Sequence, residues 1–437
     1  MADLKQKALQ IFHDTIAGID IPAVMCRKLA RAGSFIQVNG TPVDLEQFDR
    51  ICAIAIGKAS VAMAQGLAAS LSRDYRLDGI IVAPSASHVA PTGFRTILAG
   101  HPVPNEGSFL AGRAILELLA STNRQTLIFF LLSGGSSALV EQPLDPGVGL
   151  KDMQLLNRLL VQCGAPIDEI NAVRKHLSAV KGGRLARAAS DAMKITLGVT
   201  DVPEGRESAL ASGPTLPDPS TVEDACKVIA HYNLLLKLPA TLRAAFERAA
   251  SIPETPKPGD PGFQRALFQI VLGRRDLFHV AHCSAEAAGF VTICDNTTDD
   301  WPIGAAADFL LNQLAELKKA NPLRSVAIIA DGEVSSPVTG VGVGGRNTAF
   351  ALRCVEKIAG QRIAVLSAGT DGVDGSSPAA GAVADGKTAA RAQAKLLSPD
   401  DYFQRSDSYT FFKELGDTIE TGPTGNNLRD LRILLTE

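Results

Sequence analysis

No apolar run in this chain approaches the ~18–20 residues that span a bilayer, so a membrane-crossing helix is not expected. The N-terminal Met-Ala-Asp-Leu-Lys-Gln-Lys leads into no apolar signal core. Paired metal or disulfide ligands are also lacking. The seven cysteines (26, 52, 163, 226, 283, 294 and 354) never form Cys-x-x-Cys, and the seven histidines never form His-x-x-x-His. That disfavours a disulfide frame or a structural zinc site and favours reduced thiols in a cytoplasm. An excess of either charge is missing too: 43 basic against 46 acidic residues leave −3, which gives no electrostatic case for nucleic acid or an anionic membrane. There is no G-x-x-x-x-G-K-[ST] element, which excludes a P-loop kinase. Gly340, Gly342 and Gly345 formally satisfy G-x-G-x-x-G but lack the compact strand–turn–helix setting and downstream acid of a nicotinamide fingerprint.

What is present is an alternation of buried strands and helices. At 437 residues the chain is too long for one typical core, and 46% hydrophobic with 20% charged residues is ordinary for a globular protein. Leu127 to Leu132 make an unbroken apolar run that fits a strand covered on both faces, as does Ile51 to Ile56. The first ends in Ser133-Gly134-Gly135-Ser136-Ser137, read as a cradle for phosphate or carboxylate built from bared amides and three hydroxyl donors, or as an ordinary tight turn. The second ends in Gly57-Lys58-Ala59-Ser60, with a lysine at the carboxyl end of a strand, where open α/β sheets bind ligands. Further strands are expected at 78–83, 96–99 and 195–200. Residues 3–35 read as helix, with Pro22 at a helix start. The alternation predicts a parallel doubly wound sheet.

Between these elements lie the other candidates. His101, in Gly100-His101-Pro102-Val103-Pro104-Asn105-Glu106, suits a base, a substrate ligand or a structural histidine. A helix is expected over the basic stretch 171–184, where Arg174, Ser178 and Lys181 share a face and Lys175 and His176 point elsewhere. Such positive charge is what an anionic substrate needs, and also what a solvated face carries. Asp201, just past a strand, fits magnesium, a substrate hydroxyl or a turn. Residues 251–262, with four prolines and two glycines, mark the domain boundary. The second half holds Gly332-Glu333, Gly344-Gly345-Arg346-Asn347, Gly369-Thr370-Asp371-Gly372-Val373-Asp374-Gly375 and Thr421-Gly422-Pro423-Thr424-Gly425-Asn426-Asn427. Asp371 and Asp374 resemble a magnesium-facing loop, since Mg²⁺ takes one or two carboxylates plus phosphate oxygens.

Ordered together, these segments resemble the class II glycerate kinases, whose C-terminal half is the MOFRL domain. The match runs over Ala55-Ile56-Gly57-Lys58, Gly100-His101-Pro102, the 133–137 loop, Val173-Arg174-Lys175-His176-Leu177-Ser178, Asp201-Val202-Pro203, Ala211-Ser212-Gly213-Pro214-Thr215, Gly344 to Asn347, the 369–375 loop, Asp407-Ser408-Tyr409 and Thr421 to Gly425. The resemblance implies a Rossmann-like larger domain (residues 1–250) and a smaller α/β domain (251–437) whose C-terminal tail packs back on the first, with the active site in a cleft between them. It implies ATP- and Mg²⁺-dependent phosphorylation of D-glycerate, usually at the 2-hydroxyl; the assembly expected beside the small-molecule substrate is a homodimer.

In that reading Lys58 and Arg346 face the transferred phosphoryl group and Asp201 joins them as a catalytic group. The loop of Ser133, Gly134, Gly135, Ser136 and Ser137, with His101, receives an anion. Arg174 and Lys175 receive the substrate carboxylate, Gly344, Gly345, Asn347, Gly369 and Thr370 contact the nucleotide, and Asp371 and Asp374 hold magnesium. The chain departs from the family pattern at Asn105, at Glu204-Gly205-Arg206 and at Pro378, where carboxylates are usual. The rival readings are an NAD(P)H-dependent hydroxypyruvate reductase and a non-catalytic sensor of sugar acids or nucleotides.

Overall fold

The computed structural model describes residues 3–71, 74–85, 89–189, 191–200, 202, 205–425 and 428–437. The chain forms two compact units, Ile21–Val271 and a second made of Met1–Asp20 with Leu272–Glu437.

The Ile21–Val271 unit is built on a six-stranded sheet: β1 (Arg50–Ile56), β2 (Leu77–Ala83), β3 (Phe94–Leu98), β4 (Thr126–Leu132), β5 (Met193–Val199) and β6 (Ala266–Leu272). Their spatial order is β3-β2-β1-β4-β5-β6, and β1 to β5 run parallel. This is the doubly wound order, which reverses direction between β1 and β4. Every residue of β4 is buried, and six of the seven in β1, because helices cover both faces of the sheet. Ile54, Val82, Ile128 and Phe130 pack with Ile115 of the Glu106–Ala120 helix in one cluster. A separate helical core gathers Met153, Leu156, Val173, Val228 and Phe246.

The helix expected over 3–35 is two helices, Leu4–Gly18 and Ile21–Lys28, the second starting at Pro22's turn as its fixed φ suggests. The remainder pairs into a small antiparallel sheet whose Phe35–Val38 and Thr41–Asp44 strands meet at Asn39-Gly40, both at positive φ. Asn-Gly is the preferred two-residue hairpin turn, so the signal was in the sequence.

The other unit carries a mixed sheet of β7 (Val291–Asp295), β8 (Val326–Asp331), β9 (Ile363–Gly369), β10 (Gly381–Asp385), β11 (Thr418–Ile419) and β12 (Asp430–Thr436), ordered β7-β8-β12-β9-β10-β11. Only β7 and β8 pair in parallel, and β12 runs antiparallel to both its neighbours. The tail's last strand lies inside this sheet, buried at all seven positions, and of residues 1–250 it packs on the Leu4–Gly18 helix.

The expected boundary at 250/251 also shifts. Residues 251–262 stay with the first unit: Ile252 joins its helical core, Asp260 pairs with Arg187, and β6 follows as the sixth strand of its sheet. The Leu4–Gly18 helix instead packs on β9, β10, β12 and the Arg274–Ala287 helix, burying Ala8, Ile11 and Phe12. Lys5 pairs with Asp417, and the Lys7 ammonium lies 2.7 Å from Glu437 Oε1. Phe12→Ala should therefore destabilise the Leu272–Glu437 part of the protein by about 3–5 kcal/mol. Amide hydrogen exchange of intact protein reads this as lost protection in β9 and β12; unchanged protection there would contradict the docking.

Candidate active site

In a doubly wound sheet the loops at the reversal point diverge and leave a crevice. Here those are the loops after β1 and β4, and they are bonded to each other. The Lys58 amide donates to Gly134 O (3.0 Å), Ser133 N donates to Ile56 O (3.0 Å), and Ala59 N donates to Ser133 Oγ (3.0 Å). Gly57 has φ +123° and any Cβ on it would overlap Ser133, so only glycine lets the loops close. Gly135, at φ +87°, leaves room for His101: a Cβ there would meet the imidazole Nε2 at 3.1 Å and Lys58 Cγ at 3.6 Å. Lys58, His101 and the 133–137 loop thus come together at the carboxyl end of the sheet.

The hydroxyls of that loop behave differently from expectation. Ser133 Oγ donates to Ile56 O, and Ser136 Oγ donates to Ile56 O (2.8 Å) and Ser133 O (2.5 Å). Both are buried and spend their protons on the frame, so they are not donors to an anion. The following helix, Ser136–Leu139, is one turn long, too short to add an axial dipole. What remains are the amides of residues 134–137, which have no intramolecular acceptor among the described residues.

The basic segment also differs. Its helix spans Ile167–Leu177 and ends at extended Ser178, ahead of Gly182 and Gly183 at positive φ. Arg174, Ser178 and Lys181 do share a surroundings: Ser178 Oγ donates to Glu141 Oε1 (2.6 Å), Lys181 Nζ to Glu141 Oε2 (2.6 Å), and Glu141 supports the charge of Arg174. Desolvation by burial pushes the Arg174 pKa down, against the Glu141 charge, and its Nε donates to Asn157 Oδ1 at 2.6 Å. Its terminal nitrogens have no protein acceptor among the described residues. Lys175 is the opposite case. Its ammonium is buried against Asp218 Oδ1 at 3.0 Å, so it holds the fold together and is not a carboxylate receptor. Desolvation raises the Asp218 pKa, but Lys175 and Ser220 overcome it and hold the carboxyl below its ordinary value.

In the other unit, the sites lie where β8 and β9 end and β12 begins. Arg346 Nη2 is 2.5 Å from Glu333 Oε1 and its Nε pairs with Asp430; burial works against its charge, yet the two acids raise its pKa. Nearby, Arg429 holds Asp299 (2.6 Å to Oδ1), and the fully buried Arg432 donates to Gly332 O (2.8 Å) over the ring of Phe350.

Asp374 is not placed as a metal ligand. It caps the Arg346–Cys354 helix, accepting from Asn347 N (2.9 Å), Thr348 N (2.8 Å) and Thr348 Oγ1 (2.8 Å), while burial pushes its pKa up. Asn347 Oδ1 accepts from Ser367 (2.6 Å) and Thr370 Oγ1 accepts from Leu428 N (3.0 Å), so neither side chain is turned to a ligand. Gly344 and Gly345 are glycines because Ser408 and Asp374 fill the space of a Cβ. Gly369 likewise faces the carboxylates of Asp371, 3.1 Å from its absent Cβ, and Asp430. Asp371 remains half-exposed, and no group of three or more metal-type ligands occurs among the described residues. Asp201, Glu204, Asn426 and Asn427 lie outside the described residues. Glu141, Asn171, Ser212, Glu333 and Asp430 were missed by sequence reasoning; of these, Asn171, Ser212 and Glu333 sat in segments that carried other candidates.

Residues 7–247 match the family described as a domain of unknown function (DUF4147), and residues 326–430 match the MOFRL family. A D-glycerate 2-kinase of Thermotoga maritima is 37% identical over 88% of this chain and 90% of its own. A glycerate 2-kinase of Pyrococcus horikoshii is 31% identical over 99% of this chain and 97% of its own. The chain belongs to the class II glycerate kinase family. A relative from Agrobacterium vitis, 36% identical over 88% of this chain and 87% of its own, bears the name putative hydroxypyruvate reductase. The crystal structure of a glycerate kinase from Thermotoga maritima superposes with a TM-score of 0.84 at 34% identity, covering 99% of both chains.

Against the family pattern, Asn105 has a plain structural explanation. Its Oδ1 caps the Glu106–Ala120 helix, accepting from Ser108 N (3.2 Å) and Gly100 N (2.9 Å), a task either Asn or Asp performs. Two stability effects follow from the site. Lys175→Ala should cost about 3–5 kcal/mol by leaving Asp218 buried and unpaired. Because the folded Asp218 pKa is depressed, its stabilisation is present above the ordinary carboxylate pKa and lost as pH falls through the folded value. Urea titrations of wild type and Lys175→Ala at neutral and acidic pH should therefore converge as pH falls, and parallel curves would refute the pairing. Asp374→Ala should cost about 1–2 kcal/mol as a lost cap, read from the same titrations; no loss would refute the capping role.

Proposed function

We propose that this protein transfers the γ-phosphoryl group of ATP to D-glycerate at the 2-hydroxyl. The observation that carries the reading is the bonded pair of loops at the sheet's reversal point, with Lys58, His101 and four unengaged amides at one place, in a chain 37% identical to a D-glycerate 2-kinase. Phosphoryl transfer asks a protein mainly for position and charge neutralisation. Lys58 and the 134–137 amides supply both for a phosphoryl group, and Arg174, with unbonded terminal nitrogens, suits the glycerate carboxylate in a bidentate grip. Arg346, a cation of the second unit held in place by Glu333 and Asp430, is assigned to the nucleotide phosphates. Asp371 is the carboxylate suited to Mg²⁺, which would neutralise phosphate charge, the nucleotide itself supplying the other oxygens. Asp201 keeps its assignment to the attacking hydroxyl.

The protein is assigned to the cytoplasm; no described helix is long and apolar enough to cross a membrane. The reductase name of one relative finds no support in the loop after β1, which holds a single glycine, or in Gly340 to Gly345, where the glycines pack on residues 405–408 and on Asp374.

A screen of ADP release over small hydroxy acids, with NMR to locate the phosphate, tests the reading. D-glycerate should be turned over to the 2-phosphate, and Lys58→Ala and Arg346→Ala should each lower kcat by about 10²–10³. NAD(P)H oxidation by hydroxypyruvate at 340 nm with no ADP release would overturn it.

A further inference from the structure

Ser137 is the loop hydroxyl not turned onto the β1–β4 frame. Its Oγ lies 2.7 Å from Ser212 Oγ, and Ser212 Oγ lies 2.9 Å from Asn171 Oδ1. An amide oxygen only accepts, so Ser212 gives its single proton to Asn171, and Ser137 must give its own to Ser212. What Ser137 has left is lone pairs, on a half-exposed side chain. The chain ends in a neutral amide that cannot take up a proton, so it fixes direction without acting as a base relay.

Ser212 is held firmly for this. Ala211 and Ser212 both sit at positive φ (56° and 60°), a conformation L-residues rarely adopt, and Gly182 N donates to Ser212 O at 3.0 Å. Asn171 is one helical turn from Arg174, whose terminal nitrogens are assigned to a carboxylate.

We propose that Ser137 accepts a hydrogen bond from the substrate hydroxyl that is not phosphorylated, with Ser212 and Asn171 as its positioning residues, so that this trio selects dihydroxy acids over monohydroxy acids. The inference rests on the glycerate reading above. A site built to bond a hydroxyl rejects the analogue that lacks it, because its own polar group is then left unpaired.

D-lactate keeps the carboxylate and 2-hydroxyl of D-glycerate and lacks the 3-hydroxyl. Calorimetric binding of both acids should be compared in wild type, Ser137→Ala, Asn171→Ala and Thr196→Val. The last removes the 2.9 Å bond from Thr196 Oγ1 to Thr215 Oγ1, which braces the same loop but lies outside the trio. Wild type should favour D-glycerate about tenfold. Ser137→Ala should bring that ratio near unity with D-lactate binding unchanged. Asn171→Ala should lower the ratio without abolishing it, because the Ser137 and Ser212 protons lose their fixed direction while a substrate hydroxyl can still pair with Ser137 as acceptor. Thr196→Val should keep the ratio. A preserved ratio in Ser137→Ala, a parallel loss for both acids, or loss of the ratio in Thr196→Val would overturn the proposal. ADP release by wild type is followed alongside: silence there with an intact, Ser137-dependent binding ratio would sink the kinase reading and support the hydroxyl one.

Discussion

Hydrogen bonds between the segments after β1 and β4, three donated by backbone amides and two by serine hydroxyls, hold the first unit's candidate site in place. They let two strand ends that should diverge stay in contact, and the close approach is possible only because residue 57 has no side chain. The frame consumes the hydroxyls of Ser133 and Ser136 and leaves the amides between them bare. It also brings the Lys58 stem and the His101 ring to the same glycine, Gly135. A serine-rich loop thus works through its backbone, with Ser137 alone of its hydroxyls linked onward to Ser212.

The cations sort by how desolvation is offset. A buried charge needs a partner, and Lys175 with Asp218 or Lys181 with Glu141 are complete pairs in which little remains for a ligand. Arg174 is buried enough to have its pKa lowered, yet its strongest bond is to a neutral amide. That imbalance is what an incoming carboxylate would relieve. Arg346 lies at the other extreme, with two acids fixing its plane, so its role is one of oriented charge more than of open binding capacity.

Much of the architecture was legible because the strands of a sheet covered on both faces are uniformly apolar. β1 and β4 could be read to within one residue, each starting one position earlier at polar Arg50 and Thr126, and the glycines after them marked where loops meet. The partners of the polar groups were not legible, since they come from distant sequence. Asp374 resembled a metal ligand because nothing local shows that it caps a helix starting at Arg346; Lys175 and Arg174 looked alike because the difference between them is Asp218. Helix ends failed for a related reason: Gly33, at positive φ, turns Arg31–Ala32 back onto Phe35–Ile36 inside what periodicity extended as a helix to residue 35. The proline-rich stretch at 251–262 looked like a linker, yet Ile252 and Thr255 are buried, and proline fixes φ without saying whether a segment is solvated.

The docking of the Leu4–Gly18 helix onto β9, β10 and β12 has a bearing on how the protein is made. Its apolar face is synthesised long before the strands that cover it, while the Ile21–Val271 unit has everything it needs as soon as β6 is complete. During synthesis the apolar face of Ala8, Ile11 and Phe12 stays uncovered until those strands emerge. Closing the second unit then joins segments far apart in the chain, residues 4–18 and 272–437, with Lys7 paired to Glu437.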